Sequence, residues 1–347
     1  MENLAAKYRP KQLSDITEQD VVVNIIDNIC KADNLTHRNF LFIGPAGCGK
    51  TSIAKIIASK LNEGSNSDGN LIEIDAASHS GVDAMREIIN QARIYPVGAK
   101  YKVFILDECH ALSSASWQSA LLTIESQPAM SVFSWATTNP EKIPATILSR
   151  VQTFQLSKIS LKGIFNRLKY IVEQENKEGR NITYTDDALL YLAKLAGGGM
   201  RDAITNLDQC LAYGTNLTVE LVMRALSLPD YDQYFELLNS IAKKDNEKIV
   251  KIINDVYNSG VNFVKWFDGF FSFVTNIVKF IYLQDINQTM IPSIYQDKIK
   301  GYGVAHSALC LKLSNKLVKM NQELKTTQYL QELAISYLCT PPAVKKG

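Results

Sequence analysis

The run GPAGCGKT, Gly44–Thr51, constrains this chain more than any other feature. It matches the spacing GxxxxGK[ST], follows the apolar run NFLFIG and opens a helix-period stretch from Ser52 to Leu61. In that setting glycines let backbone N–H groups and a helix N-terminus converge on a phosphate without interference from side chains. The sequence therefore predicts a phosphate-binding loop made by Gly44, Pro45, Ala46, Gly47, Cys48, Gly49, Lys50, Thr51 and Ser52. Lys50 is expected to reach the β and γ oxygens of ATP, and the Thr51 hydroxyl to bind Mg²⁺.

The pattern around this loop is that of a layered α/β domain with a mainly parallel sheet. Four apolar runs read as strands: NFLFIG, NLIEIDA, KVFILDE ending near Asp107, and SVFSWATT ending near Thr138. Helices are expected over Val21–Cys30, Ser52–Leu61, Val82–Ala92 and Ser116–Glu125. From Ser160 the strand signal fades, and three amphipathic stretches follow, the second with Thr185 as N-cap. Pro229 marks a boundary, after which periodic stretches predict a bundle of about five helices ending in a frayed PPAVKKG. The expected domains are 1–159, a nucleotide-binding α/β domain, 160–228, a helical lid, and 229–347, an all-helical collar.

In open α/β sheets ligands sit beyond the C-terminal strand ends. KVFILDE delivers Asp107 and Glu108 there, Asp107 to hold the Mg²⁺ water shell and Glu108 to orient and polarise an attacking water. Such a pair alone reads as a solvated turn; beside a phosphate loop it reads as chemistry. ATTNP, Ala136–Pro140, offers Thr138 or Asn139 to the γ-phosphate or the lytic water, or is simply a strand exit.

These motifs taken in order resemble a known family. KYRP at Lys7–Pro10, GPAGCGKT, DAASHSGVDAMREI, ILDECHAL, ATTNPEKIPATILSR and GGGMRDAITNLDQ look like the AAA+ ATPase core of bacterial DNA polymerase III subunits gamma and tau. NQELKTTQYLQELAISYL is similar to the end of that family's collar. The resemblance implies an α/β P-loop NTPase (AAA+) domain, a helical lid and a C-terminal oligomerising collar. It also implies a replication role: an ATP-driven subunit in a five-membered ring that opens a sliding clamp and loads it on primer-template DNA. The partners so implied are copies of this chain, a distinct opener subunit, the clamp and the DNA.

Carried over by motif, Lys50, Thr51, Asp107 and Glu108 keep the roles above, and Thr138 takes the first sensor position. Arg201 in GGGMRDA is similar to the second sensor, reaching its own subunit's γ-phosphate. Arg150 in ILSR is similar to an arginine finger acting on a neighbour's nucleotide. Each arginine without this resemblance reads as a surface ion pair. Arg9 and Pro10 resemble a strap over the adenine. Ser78, His79, Ser80 and Gly81 resemble the helix start that faces DNA, although a solvated helix cap fits them equally.

Two departures shape the expectation. The family's four-cysteine zinc module is replaced by LNEGSNSDGNLIEID, Leu61–Asp75, so no structural zinc is expected. SRC becomes SRV at Ser149–Val151, and nothing resembling the tau extension follows the collar, which fits a gamma-like form. Cys48 and Cys109 are read as packing thiols.

Composition adds exclusions. With 46% hydrophobic and 21% charged residues the 347-residue chain is of ordinary folded type. Six scattered cysteines and an N-terminus without an apolar core point to a cytoplasmic protein, and the resemblance implies that it is replisome-associated. The most membrane-like stretch, Phe263–Leu283, carries Lys265, Asp268, Asn276 and Lys279, groups that a bundle helix can keep on its wet side. A net charge of +2 neither shows nor excludes nucleic acid. The rival readings are a non-hydrolysing scaffold, against which the intact motifs speak, and another AAA+ DNA machine such as a branch-migration motor, whose expected winged-helix hairpin is missing from the C-terminal pattern.

Overall fold

In the computed structural model, residues 3–32, 35–64, 69–126, 128, 130–302 and 304–339 are described. The expected frayed end at 341–347, and residues 65–68 of the Leu61–Asp75 connection, lie outside them. Two compact units form, one from residues up to Thr183 together with Leu192–Thr215, the other from Tyr184–Tyr191 and Asn216 onward.

The first unit is built on five parallel strands: β1 (Asn39–Ile43), β2 (Leu71–Asp75), β3 (Lys102–Asp107), β4 (Ser131–Thr137) and β5 (Gln152–Gln155). Their order is β2-β3-β4-β1-β5, so β4 lies between β1 and β3. Strand alternation divides the core between two faces. Phe40, Phe42, Val103 and Ile105 join Val22, Ile26, Ile53 and Ile57 on one side. Leu41, Ile43, Phe104, Leu106, Phe133 and Trp135 join Met85, Ile88, Trp117 and Ile124 on the other. Both faces are covered, as parallel sheets require.

The helices around this sheet are α1 (Leu4–Lys7), α2 (Asp20–Lys31), α3 (Lys50–Leu61), α4 (Val82–Ala92), α5 (Ser114–Ser126) and α6 (Ala145–Leu148). Four of these match the expected helices within two residues; α1, α6 and the edge strand β5 carry no sequence signal of their own. In β5 only Phe154 is buried, too little for a visible pattern. Helices α7 (Leu161–Lys177), α8 (Asp186–Leu195) and α9 (Met200–Tyr213) follow, and Ser160 caps α7 by accepting from the Gly163 N–H at 3.0 Å. Thr185 caps α8, its hydroxyl accepting from the Ala188 N–H at 3.2 Å.

The second unit continues through α10 (Val219–Ala225) into α11 (Tyr231–Lys243), α12 (Asn246–Asn258), α13 (Phe263–Leu283), α14 (Gln296–Lys300), α15 (Val304–Leu324) and α16 (Leu330–Leu338). Its core is the aromatic stripe of α13, where Trp266, Phe267, Phe270, Phe273, Val274 and Ile277 recur at helical spacing. Lys265, Asp268 and Lys279 are exposed as expected. Asn276 is not: it is buried, and its amide donates to the Ser272 carbonyl at 2.7 Å while its oxygen accepts from the Met290 N–H at 3.0 Å. A neutral amide with partners on both ends can enter the core where a charge cannot. Among the described residues no helix is long and apolar enough to cross a membrane.

Candidate nucleotide site

The site lies at the C-terminal ends of β1, β3 and β4, within the first unit. The Gly44 N–H donates to the Thr137 carbonyl at 3.2 Å, which fixes the start of the loop to the end of β4. A methyl group on Gly44 would stand 2.7 Å from the Leu156 carbonyl, so only glycine lets the chain pass there. Gly47 and Gly49 take φ values of 70° and 110°, the left-handed region that turns the loop into α3. Lys50, 6% exposed, folds back over this loop, donating to the carbonyls of Gly44 at 2.9 Å and Pro45 at 2.8 Å.

A chain of hydrogen bonds then crosses the strand ends. The Thr51 hydroxyl donates to Asp107 Oδ2 at 2.8 Å, and the Glu108 N–H donates to Asp107 Oδ1 at 3.0 Å. Glu108 has φ 47°, which swings its side chain away from the direction β3 would give it. Thr138 donates its hydroxyl to Glu108 Oε2 at 3.0 Å. His110, whose role sequence reading did not find, places Nδ1 3.2 Å from the same oxygen and 3.1 Å from the Thr137 hydroxyl. Its position three residues after Asp107, on the turn that follows β3, is the only local signal it carries.

A cavity of about 830 Å³ opens in front of this chain. It is lined by Ala46 to Ser52 with Asp107 and Glu108, by Tyr8, Arg9 and Pro10, and by Arg167, Met200, Arg201 and Ile204. Gly44, Pro45 and Thr138 stand behind this lining. The start of α9 rests on the loop: the Met200 N–H donates to the Gly47 carbonyl at 3.0 Å, and a methyl group on Gly47 would meet Gly199 Cα at 3.2 Å and the Arg201 nitrogen at 3.3 Å. Arg201 is thus brought to the phosphate loop by backbone contact.

Arg150 is not among the lining residues. It is 39% exposed on another face, donating from Nε to Glu125 Oε1 at 2.6 Å and from an NH group to the Thr146 carbonyl at 2.8 Å. Ser78, His79, Ser80 and Gly81 are also elsewhere, in the turn between β2 and α4. The Ser78 hydroxyl donates to Asp75 Oδ2 at 2.8 Å, and that bond together with the Ala77 N–H holds the Asp75 carboxyl below its ordinary range. The Ser80 carbonyl accepts from the Ser116 hydroxyl at 2.7 Å and the Ser113 N–H at 3.2 Å, tying this turn to the start of α5.

Cys48 and Cys109 are buried, and burial pushes both thiols up, with the nearby Glu108 and Asp107 adding to the rise at Cys109. Neither has thiolate character, as packing residues should not. Among the described residues no cluster of three His, Cys, Asp or Glu side chains could hold a metal. The hard oxygen pair Thr51 and Asp107 nonetheless suits Mg²⁺, which binds through one or two protein oxygens and keeps waters and substrate phosphates as its other ligands.

Residues 18–160 match a family model described as DNA polymerase III, delta subunit. Residues 163–216 match the DNA polymerase III clamp loader subunit, ATPase lid domain. Thermotoga maritima RuvB, a Holliday junction branch migration motor, aligns with a TM-score of 0.52 at 21% identity, covering 67% of this chain and 79% of that one. That likeness is one of fold alone: a parallel sheet with helices on its faces. The Haemophilus influenzae DNA polymerase III subunit tau/gamma is 36% identical over 272 residues, 73% of this chain and 39% of that protein. The chain therefore spans well under half of that relative's length. DNA polymerase III subunit gamma of Buchnera aphidicola subsp. Baizongia pistaciae is 35% identical over 279 residues, 75% of this chain and 74% of that protein. With agreement of that extent across both proteins, the chain belongs to the DNA polymerase III gamma/tau family.

Proposed function

We propose that this chain is an ATP-hydrolysing motor subunit of a clamp loader, which helps open a sliding clamp and place it on primer-template DNA. The observation that carries the reading is the continuous hydrogen-bonded run from Thr51 through Asp107 and Glu108 to Thr138, of which Thr51, Asp107 and Glu108 line one cavity with Lys50 and Arg201. The family supplies the process, and the geometry supplies a way to perform it.

ATP would place its phosphates over Gly44–Thr51, with Lys50 exchanging loop carbonyls for β and γ oxygens. Thr51 and Asp107 would hold Mg²⁺, which would supply neutralisation of the phosphate charge when bound. Glu108 has Oε2 occupied by Thr138, leaving Oε1 to take a proton from water as that water's oxygen bonds to the γ-phosphorus and the bond to the β-phosphate oxygen breaks. Arg201 would sense the γ-phosphate from the lid side. Arg150, outside its own subunit's cavity, would serve a neighbour's nucleotide and make hydrolysis depend on assembly. The turn Ser78–Gly81 would meet the DNA backbone, and the second unit would supply the collar of a three-part organisation at 1–159, 160–228 and 229–347. Residence in the cytoplasm with the replisome accompanies that role.

Steady-state ATP hydrolysis by the purified chain, with and without clamp, opener subunit and primed DNA, tests this reading. Stimulation that requires clamp and primed DNA together is expected. Turnover indifferent to every addition would argue for a different AAA+ machine, and ATP binding without cleavage for a scaffold.

A further inference from the structure

Arg9 and Pro10 line the cavity, and the Arg9 N–H donates to the Ala6 carbonyl at 3.2 Å, within its own segment. What holds them is the segment just before. The Leu4 N–H donates to Asp208 on α9 at 3.2 Å, and Arg167 on α7 donates to the Tyr8 carbonyl at 3.1 Å. The strongest tie is Glu175, also on α7 and only 5% exposed. One of its oxygens accepts from Lys7 Nζ at 2.6 Å and from the Tyr8 hydroxyl at 2.8 Å; the other accepts from Arg180 at 2.9 Å. Lys7 also reaches Glu178.

A buried carboxylate costs heavily unless it is fully paired, and a pairing of this completeness persists only if its partners stay in place. Burial alone would raise the Glu175 carboxyl, but hydrogen bonds from Lys7, Arg180 and Tyr8 outweigh it, so its net shift is downward and the charged form is held. The Tyr8 hydroxyl is pushed up to about 12, by burial and by its bond to Glu175. Further along the chain, at Glu18 and Gln19, the attachments change. Glu18 accepts from the Ser160 N–H at 2.6 Å and Gln19 exchanges two bonds with the Ser157 backbone, all at the connection entering α7. Residues 4–8 thus ride on the lid helices, while residues 18–19 grip the lid's hinge.

We propose that Glu175 is a positioning residue that joins the N-terminal strap to the lid, so that strap and lid close on the nucleoside end of ATP as one jaw. The inference rests on the nucleotide-site reading above. The loss of charge in Glu175→Gln leaves an amide N–H₂ facing Lys7 or Arg180, so that Lys7 is left with Glu178 and Tyr8 with the Arg167 bond, which loosens the lining made by Arg9 and Pro10. Phosphate contacts, made by the loop and by Arg201, which the Met200–Gly47 bond seats beside it, are untouched.

Equilibrium binding of ATP and of inorganic tripolyphosphate to the full chain tests this. Glu175→Gln should weaken ATP about tenfold or more, the scale of a lost charged hydrogen bond, and leave tripolyphosphate within about twofold. Tyr8→Phe, which removes a single hydroxyl and is the milder variant if Glu175→Gln folds poorly, should move the same ratio in the same direction. The double variant should bind ATP no more weakly than Glu175→Gln alone. Equal losses for ATP and tripolyphosphate would reduce Glu175 to a fold-stabilising carboxylate and overturn the proposal, as would unchanged ATP binding or additive losses in the double variant. A wild-type chain that binds neither probe would instead sink the nucleotide-site reading itself.

Discussion

Replacing Gly47 by alanine tests whether the phosphate loop and the start of α9 are one mechanical unit. At φ 70° an L-residue costs about 1–2 kcal/mol. The added methyl would also lie 3.2 Å from Gly199 Cα and 3.3 Å from the Arg201 nitrogen, backbone that cannot turn aside, adding about 1 kcal/mol or more. A total near 2–4 kcal/mol corresponds to a Tm lower by roughly 5 °C or more for a unit of this size. If the strain is relieved by pushing α9 away, the Met200–Gly47 bond is lost and Arg201 retreats from the loop. ATP affinity should then fall by about tenfold more than ADP affinity, because only ATP presents a γ-phosphate. Gly49→Ala is the control: it has φ 110°, but its methyl meets nothing nearer than Ile16 Cδ1 at 3.9 Å. It should lower Tm and weaken both nucleotides alike. Thermal unfolding together with displacement of a fluorescent nucleotide by ATP and ADP measures Tm and both affinities for each variant. Gly47→Ala with the same ATP-to-ADP ratio as Gly49→Ala would refute the coupling.

Glu108→Gln should preserve ATP binding and lower single-turnover hydrolysis about 10²- to 10⁴-fold, the range for a general base, and a rate within threefold or so of wild type would remove it from that role. His110→Ala should lower kcat about tenfold at unchanged KM for ATP, since it loses one contact to the Glu108 carboxylate; an unaltered kcat would leave His110 a packing neighbour. Arg150→Ala should leave ATP binding by the isolated chain unchanged while lowering turnover of the assembled ring about 10³-fold or more, and equal losses in both would contradict action in trans.

The parts of the site that were legible in sequence are those set by short spacings. GPAGCGKT fixes its own loop geometry, and an apolar run ending in Asp107 and Glu108 announces a buried strand with its exit at the ligand edge. Arg201 and Arg150 could not be told from surface ion pairs by spacing, and only the resemblance to known ATPases singled them out. The structure gives Arg201 a backbone seat on the loop and leaves Arg150 facing outward beside Glu125. The wet-side expectation for α13 failed at Asn276 because hydropathy registers an amide as polar without seeing Ser272 and Met290, which satisfy it.

By itself the sequence determined the alternation of strand and helix, the left-handed glycine turn and the chemical identity of the groups at the strand ends, because each depends on neighbours a few residues away. The order β2-β3-β4-β1-β5 is a different kind of fact. By inserting β4 between β1 and β3 it carries Thr137 and Thr138 to Glu108 and His110, which no local pattern links. The Tyr8–Glu175 bond, joining residues 167 positions apart, exists only because the lid folds back over the N-terminal strap. Hydrogen bonds have a reach of about 3 Å, so which distant groups share one is decided by packing, after the local elements have formed.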